Sequence, residues 1–343
     1  MTKKYRLIMA GFGNVGKATA RLLLKKQKEL SEVYGIEFVV TGIATARHGR
    51  AINPEGIDLV KALAAVEDGG SLDGLSVQPC DGDMVDFIRS CPGDVLFEIT
   101  PVNHKTGQPA IDHMKTALEM GMHAITANKG PVAHAYQMLS SLAKEKNRRF
   151  LFESAVMDGA PVFSIFIESL IGANLLGFTG ILNSCTNLLL DLMGQGQSLE
   201  EAIAYGASIG ITETDPSNDV DGWDAAIKVA ALCTVLMHHP ITPQEVDRTG
   251  IRGITAPMIQ EALAAGERWK LVCSANLEDG KLTARVRPER VNSESPLFNV
   301  GGTSSFVLLK TDVLPGLGLL ESNTEPETTA YGLLADFINA VTH

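Results

Sequence analysis

The sequence predicts an α/β fold, a doubly wound parallel sheet joined to a second α+β domain. Three observations carry that expectation. Up to about Glu153, short apolar runs alternate with helical stretches, the rhythm of parallel strands linked by right-handed crossovers. The first run opens straight into glycines at the mouth of an amphipathic helix. Beyond Val156 the alternation gives way to paired strands and separate helices, and 343 residues are enough for two cores.

In the first part, strands are expected at Leu7 to Ala10, Phe38 to Ile43, Val95 to Ile99, His123 to Thr126 and Phe150 to Phe152. In the second, Ser198 and Glu201 of SLEEAIAYGA form a capping box that starts a helix. Another helix runs from Gly222 or Trp223 to His238 and stops before Pro240. WKLVCSANLEDGKLTARVR reads as two strands around a turn at Asp279-Gly280, and SFVLLKTDVL as a further strand. Thr328 to Val341 reads as a final helix. The expected divisions are 1–155, 156–320 and a C-terminal segment 321–343, for which packing back on the first domain is one of the open choices.

A net charge of −11 argues against surfaces that neutralise nucleic-acid or membrane phosphates, which need clustered Lys and Arg. Hydrophobic residues at 45% and charged residues at 20% are those of a globular chain. The five cysteines are scattered with no CxxC pair, and the eight histidines show no ligand spacing, which points to a reducing compartment and no zinc site. The apolar run after the N-terminus stops at Gly11, too short for a signal peptide, and AAIKVAALCTVLM is broken by Lys228 as a membrane span. A cytoplasmic enzyme is expected.

RLIMAGFGNVGKATARLLLKK places Gly11, Gly13 and Gly16 in GxGxxG spacing between a strand and a helix. Gly11 permits the tight turn, Gly13 lets a pyrophosphate approach the backbone, and Gly16 allows close helix-strand contact, with Asn14 and Val15 at the helix mouth. In that context the motif predicts a Rossmann-type dinucleotide site. After the second strand, Thr45, Ala46 and Arg47 stand where an NAD-specific site carries an acid. Arg47 suits a 2′-phosphate, so NADP is favoured and NAD remains open.

GITETDPSNDVDGWDAAIK gathers Glu213, Asp215, Asp219, Asp221 and Asp224 ahead of Lys228. Asp224 and Lys228 stand at i and i+4 and share a helix face, which alone describes an ordinary salt bridge. The helix dipole accounts for Asp221 and Asp224 but not for Glu213 and Asp215 as well. Carboxylates grouped at a cleft suit an ammonium-bearing substrate, and a lysine beside them suits proton transfer to a hydroxyl as hydride moves to a nicotinamide.

GITETDPSNDVDGWDAAIKVAAL resembles the signature of the homoserine dehydrogenase family. The segment from Asp94 to Ala133, with its Ala-Asn-Lys-x-Pro, is similar to the same family, as is GILNSCTNLLLDLM. The resemblance runs from Arg6 to about Leu236 and does not include the regulatory domain of longer members. It implies reversible reduction of aspartate 4-semialdehyde to homoserine with NAD(P)H by a homodimer. Glu213 and Asp219 would hold the substrate amino group, and Asn183 and Thr186 would line its site. Asp224 and Lys228 would line the reacting end. Lys129 would sit near the nicotinamide and the substrate hydroxyl, with Thr100 and Pro101 bordering the cofactor. Lys228 or Lys129 would be the proton donor. Carbonyls around Glu153, Val156, Asp158 and Ala160 would hold a monovalent cation such as sodium.

Three segments depart from the family pattern. ESAVMDGAP has Met157 and Asp158 where Gly and Ala are usual, NSCTN has Ser184 and Cys185 where Gly and Thr are usual, and Glu321 to Asn323 replace small residues. These departures leave room for a related oxidoreductase acting on another amino alcohol or hydroxy acid. An aldehyde-oxidising enzyme would need Cys185 as an activated nucleophile. A nucleotide-binding sensor would have no need of both lysines.

Overall fold

A computed structural model describes residues 2–79, 81–209, 211–212 and 215–342. The chain forms two compact units, Met1–Pro161 with Glu325–His343, and Val162–Thr324.

The first unit is built on a six-stranded sheet of order β3-β2-β1-β4-β5-β6. Its strands are β1 (Lys3–Ala10), β2 (Ile36–Ala44), β3 (Arg50–Ile52), β4 (Val95–Glu98), β5 (His123–Thr126) and β6 (Phe150–Leu151). All neighbours pair in parallel except β3, which folds back antiparallel on β2. That short edge strand follows Gly49 at φ +71° and is too brief to leave an apolar signal in the sequence. The helices are α1 (Asn14–Tyr34), α2 (Leu59–Glu67), α3 (Met84–Ser90), α4 (Ala110–Glu119) and α5 (Lys129–Glu145). A C-terminal helix, Pro326–Thr342, completes this unit. Its Leu333, Leu334 and Phe337 share one buried cluster with Leu7, Met9, Leu23 and Phe97, and the Phe337 ring meets Tyr5 and Phe97 edge-on at 6.0 Å.

The second unit has a sheet of order β12-β11-β7-β9-β10-β8. Its strands are β7 (Leu175–Ile181), β8 (Asp247–Arg248), β9 (Arg268–Glu278), β10 (Lys281–Val291), β11 (Ser305–Thr311) and β12 (Leu317–Glu321). Pairing is antiparallel except where β8 runs parallel to β10. Asp279 at φ +51° and Gly280 at φ +77° make the two-residue turn between β9 and β10, the left-handed pair that matches strand twist. The helices are α6 (Ser184–Gly194), α7 (Leu199–Ser208), α8 (Ser217–Val220), α9 (Trp223–Val235) and α10 (Ala256–Ala264). Ser198 and Glu201 cap α7 reciprocally, at 3.1 and 2.7 Å. Helix α9 is buried over most of its length, from Ala225 to Val235. Among the described residues, no helix is long and apolar enough to cross a membrane.

Candidate functional site

In the first unit, β1 ends at Ala10 and the chain turns at Gly11, whose φ of +107° favours glycine. A Cβ there would collide with the Ile99 carbonyl, and one on Gly16 would lie 2.7 Å from the Gly11 carbonyl. Both glycines are therefore required by the protein's own packing. Gly13 is different, because a Cβ there would meet nothing within 4 Å. It stands at the N-cap of α1, where no side chain caps the helix and no acid occupies the first turn, leaving the mouth at Asn14 and Val15 suited to an anion. These features fit the pyrophosphate of a dinucleotide. Arg47 lies exposed in the turn after β2 and makes no hydrogen bond or ion pair among the described residues.

The loops after β4 and β5 are tied together by a carboxylate that sequence reasoning passed over. Glu98, fully buried at the end of β4, accepts from the Thr100 amide at 3.3 Å, the Thr100 hydroxyl and the Thr126 hydroxyl at 3.0 Å, with His113 Nδ1 at 3.3 Å. Asn128 donates to the Thr100 and Pro101 carbonyls at 3.0 and 3.3 Å and caps α5 through Gly130 N. Thr100, Pro101 and Lys129, the first residue of α5, are thus brought to one end of the sheet, beyond the carboxyl ends of β4 and β5. A charged residue inside the apolar run VLFEI was the available signal.

In the second unit, the segment before α6 meets α8 and α9. Asn183 Nδ2 donates to Asp219 Oδ1 at 2.7 Å and to Asp224 Oδ2 at 2.9 Å. Lys228 lies one turn along α9, with Nζ 3.6 Å from Asp224 and donating to the Leu182 carbonyl at 2.6 Å. Asn183, Asp219, Asp224 and Lys228 therefore form one cluster. Glu213 lies outside the described residues. Thr186 is fully buried, its hydroxyl donating to Asn183 Oδ1 at 2.7 Å inside the α6 cap. The turn that brings Asp219 and Asp224 together depends on Gly222 at φ +78°. Arg248 braces that turn, with its guanidinium 3.7 Å from the Trp223 ring centroid and a hydrogen bond to the Asp221 carbonyl. Ile251 N adds a bond to the Val220 carbonyl at 2.8 Å.

Cys185 is buried beside the same carboxylates. Burial pushes its thiol far up, and the charge of Asp219 and a hydrogen bond to it act in the same direction. A thiol held protonated in this way is the opposite of an activated nucleophile.

The turn from Glu153 to Ala160 is braced by the C-terminal helix. Glu153 N donates to Asp336 Oδ2 at 2.8 Å, Ser154 Oγ to the Thr329 carbonyl at 2.8 Å, and Thr329 Oγ1 to Asp158 Oδ1 at 2.8 Å. Val156 is buried, and Ala160 N donates to the Met157 carbonyl at 2.7 Å. Among the described residues, no group of three or more His, Cys, Asp or Glu side chains is placed to hold a metal ion.

Family models agree with this arrangement. Residues 11–153 match the NAD binding domain of homoserine dehydrogenase, and residues 161–338 match the homoserine dehydrogenase domain. The chain belongs to the homoserine dehydrogenase family. Homoserine dehydrogenase of Methanocaldococcus jannaschii is 34% identical over 334 residues, which cover 97% of this chain and 97% of that relative. The NAD(+)-dependent homoserine dehydrogenase of Pseudomonas canavaninivorans is 30% identical over 337 residues, covering 98% and 96%. A hyperthermophilic archaeal homoserine dehydrogenase solved in complex with NADPH superposes with a TM-score of 0.82 at 30% identity, covering 98% of each chain. The first match spans the glycine turn and the second the acidic cluster; the break between them falls near Pro161, where the first unit gives way to the second, and the second match runs on into the C-terminal helix.

Proposed function

We propose that this chain is an NAD(P)-dependent homoserine dehydrogenase, interconverting aspartate 4-semialdehyde and homoserine. The observation that carries the proposal is the cluster of Asp219 and Asp224, bridged by the Asn183 amide, with Lys228 beside Asp224. Two carboxylates suit a substrate ammonium, and a lysine beside them suits a reacting oxygen.

Reducing the aldehyde requires a hydride at carbon and a proton at oxygen. A bound NAD(P)H supplies the hydride. Asp219, with Glu213, binds the substrate ammonium and orients the chain of the molecule. Lys228 or Lys129 gives the proton to the oxygen, and takes it back when homoserine is oxidised. Asp224 and the Leu182 carbonyl hold the Lys228 ammonium in place. The backbone at Gly11, Gly13, Asn14, Val15 and Gly16 receives the pyrophosphate, Thr100 and Pro101 border the nicotinamide half, and Arg47 is free to meet a 2′-phosphate. We assign the dinucleotide to the first unit, Met1–Pro161 with Glu325–His343, and substrate and dimer formation to the second, Val162–Thr324, in place of the expected divisions at 155 and 320.

Homoserine and its analogue lacking the amino group, 4-hydroxybutyrate, discriminate this reading. Reduction of NADP by homoserine alone is expected. Equal turnover of both compounds would contradict an ammonium-binding cluster and favour a hydroxy-acid enzyme. The aldehyde-oxidising reading is disfavoured by the suppressed Cys185 thiolate. We extend the proposal to a homodimer in the cytoplasm, which the family resemblance and the scattered cysteines support. At the turn expected to hold a monovalent cation, the Asp158 carboxylate is engaged by the Thr329 hydroxyl. The proposed proton and hydride transfers use no cation, and replacing sodium with a bulky organic cation is expected to leave turnover unchanged.

A further inference from the structure

We propose that Asn183 is a positioning residue, whose single amide locks the Asp219 and Asp224 carboxylates into one fixed pair, in place of the substrate contact expected of it. The inference rests on the proposed function for its kinetic consequence and on geometry for the rest. A side-chain amide has two N–H donors and an oxygen with two lone pairs. Nδ2 donates to Asp219 at 2.7 Å and to Asp224 at 2.9 Å. Oδ1 accepts from the Thr186 amide and the Thr186 hydroxyl, both at 2.7 Å. All four positions are filled within the protein, and the residue is buried.

The orientation of the amide follows from its neighbours. A backbone N–H can only donate and an ionised carboxylate can only accept, so Oδ1 faces Thr186 and Nδ2 faces the acids. Asn183 stands at the N-cap of α6, Asp219 in α8 and Asp224 in the first turn of α9. One side chain thus links three elements. The two carboxylates repel each other, and the shared donor offsets that repulsion while setting their spacing. A substrate ammonium then meets a preformed pair, with no cost for assembling it.

Capping and bridging can be separated, since Ser and Asp both cap a helix as Asn does but neither can donate to two carboxylates in this way. Asn183→Ser and Asn183→Asp are each expected to lower kcat/KM for aspartate semialdehyde by about 10- to 100-fold, chiefly through KM. The NADPH dissociation constant is expected to stay at the parental value, while Tm falls in both variants, further in Asn183→Asp, which sets a third carboxylate beside the other two. Parental kcat/KM in both variants would overturn the proposal, because that is the behaviour of a cap alone. Crystal structures of the variants judge the same point without turnover. Asp219 and Asp224 drawn apart are expected, and carboxylates at their parental positions would overturn it. If the parent itself reduced no semialdehyde, the proposed function would fail and Asn183 would stand or fall on those structures.

Discussion

At the scale of single residues, the site depends on which side chains are free and which are spent. Asp224 and the Leu182 carbonyl hold the Lys228 ammonium, and Lys228→Met is expected to lower kcat by about 10²- to 10⁴-fold, the usual contribution of a positioned acid or base. The same change at Lys129 tells which lysine passes the proton, by comparison of kcat with each variant. Cys185 is held protonated by burial and by Asp219. Since a serine hydroxyl can make the same donation, Cys185→Ser is expected to keep kcat within about threefold of the parent. Abolished turnover would instead revive a nucleophilic thiol. Asp219, Asp224 and Lys228 were legible because their spacing is local. The bridge through Asn183 was not, as it joins positions separated by 36 and 41 residues that only the fold brings together.

At the scale of elements, the glycine turn and the sheet edge make separable predictions. Gly13→Ala leaves packing untouched, because the added Cβ enters open space, yet it crowds the backbone that a pyrophosphate must approach. Parental Tm with a weakened NADPH dissociation constant is expected. Gly16→Val drives a side chain onto the Gly11 carbonyl, so it is expected to lower Tm as well. Equal Tm losses in the two variants would show that Gly13 has a packing role after all. In β5, burial holds the His123 imidazole down to about 4, with Arg148 and Arg149 acting in the same direction. Its Nδ1 accepts from Arg149 N at 3.2 Å, a bond that protonation would break. The unfolded chain therefore binds a proton more readily than the native one. His123 costs no stability above pH 6.5, and stability falls as pH drops from there toward 4, by about 1 to 2 kcal/mol once solvent screening of this half-buried group is allowed for. Denaturant unfolding of His123→Gln is expected to show a flatter dependence across that window.

Element boundaries were readable where local chemistry decides them. Ser198 with Glu201 marked the start of α7, and Asp279-Gly280 marked the turn between β9 and β10. Strand β3 escaped notice because three residues on a sheet edge carry no period. The buried network of Glu98, Thr126 and Asn128 escaped for a different reason. Glu98 and Thr126 fall inside expected strands and Asn128 just beyond one, but nothing local pairs them until the two strand ends lie side by side.

At the scale of the whole molecule, each unit carries one half of the proposed chemistry. The first carries an uncapped helix mouth above a glycine turn, and the second carries two carboxylates bridged by one amide, with a lysine beside one of them. Parallel-sheet architecture was evident from the strand-helix rhythm, whereas the place of the C-terminal helix was not. That helix joins the first unit by inserting Leu333 and Phe337 into its core, a long-range match of apolar faces that no local pattern encodes. Family membership then unites these separate observations in a single activity. The most direct test of that activity is NADPH oxidation by the purified protein with aspartate 4-semialdehyde, run beside Lys228→Met and with homoserine identified as the product. Rapid turnover by the parent and its loss in the variant are predicted. Cofactor binding without turnover of the semialdehyde would contradict the account.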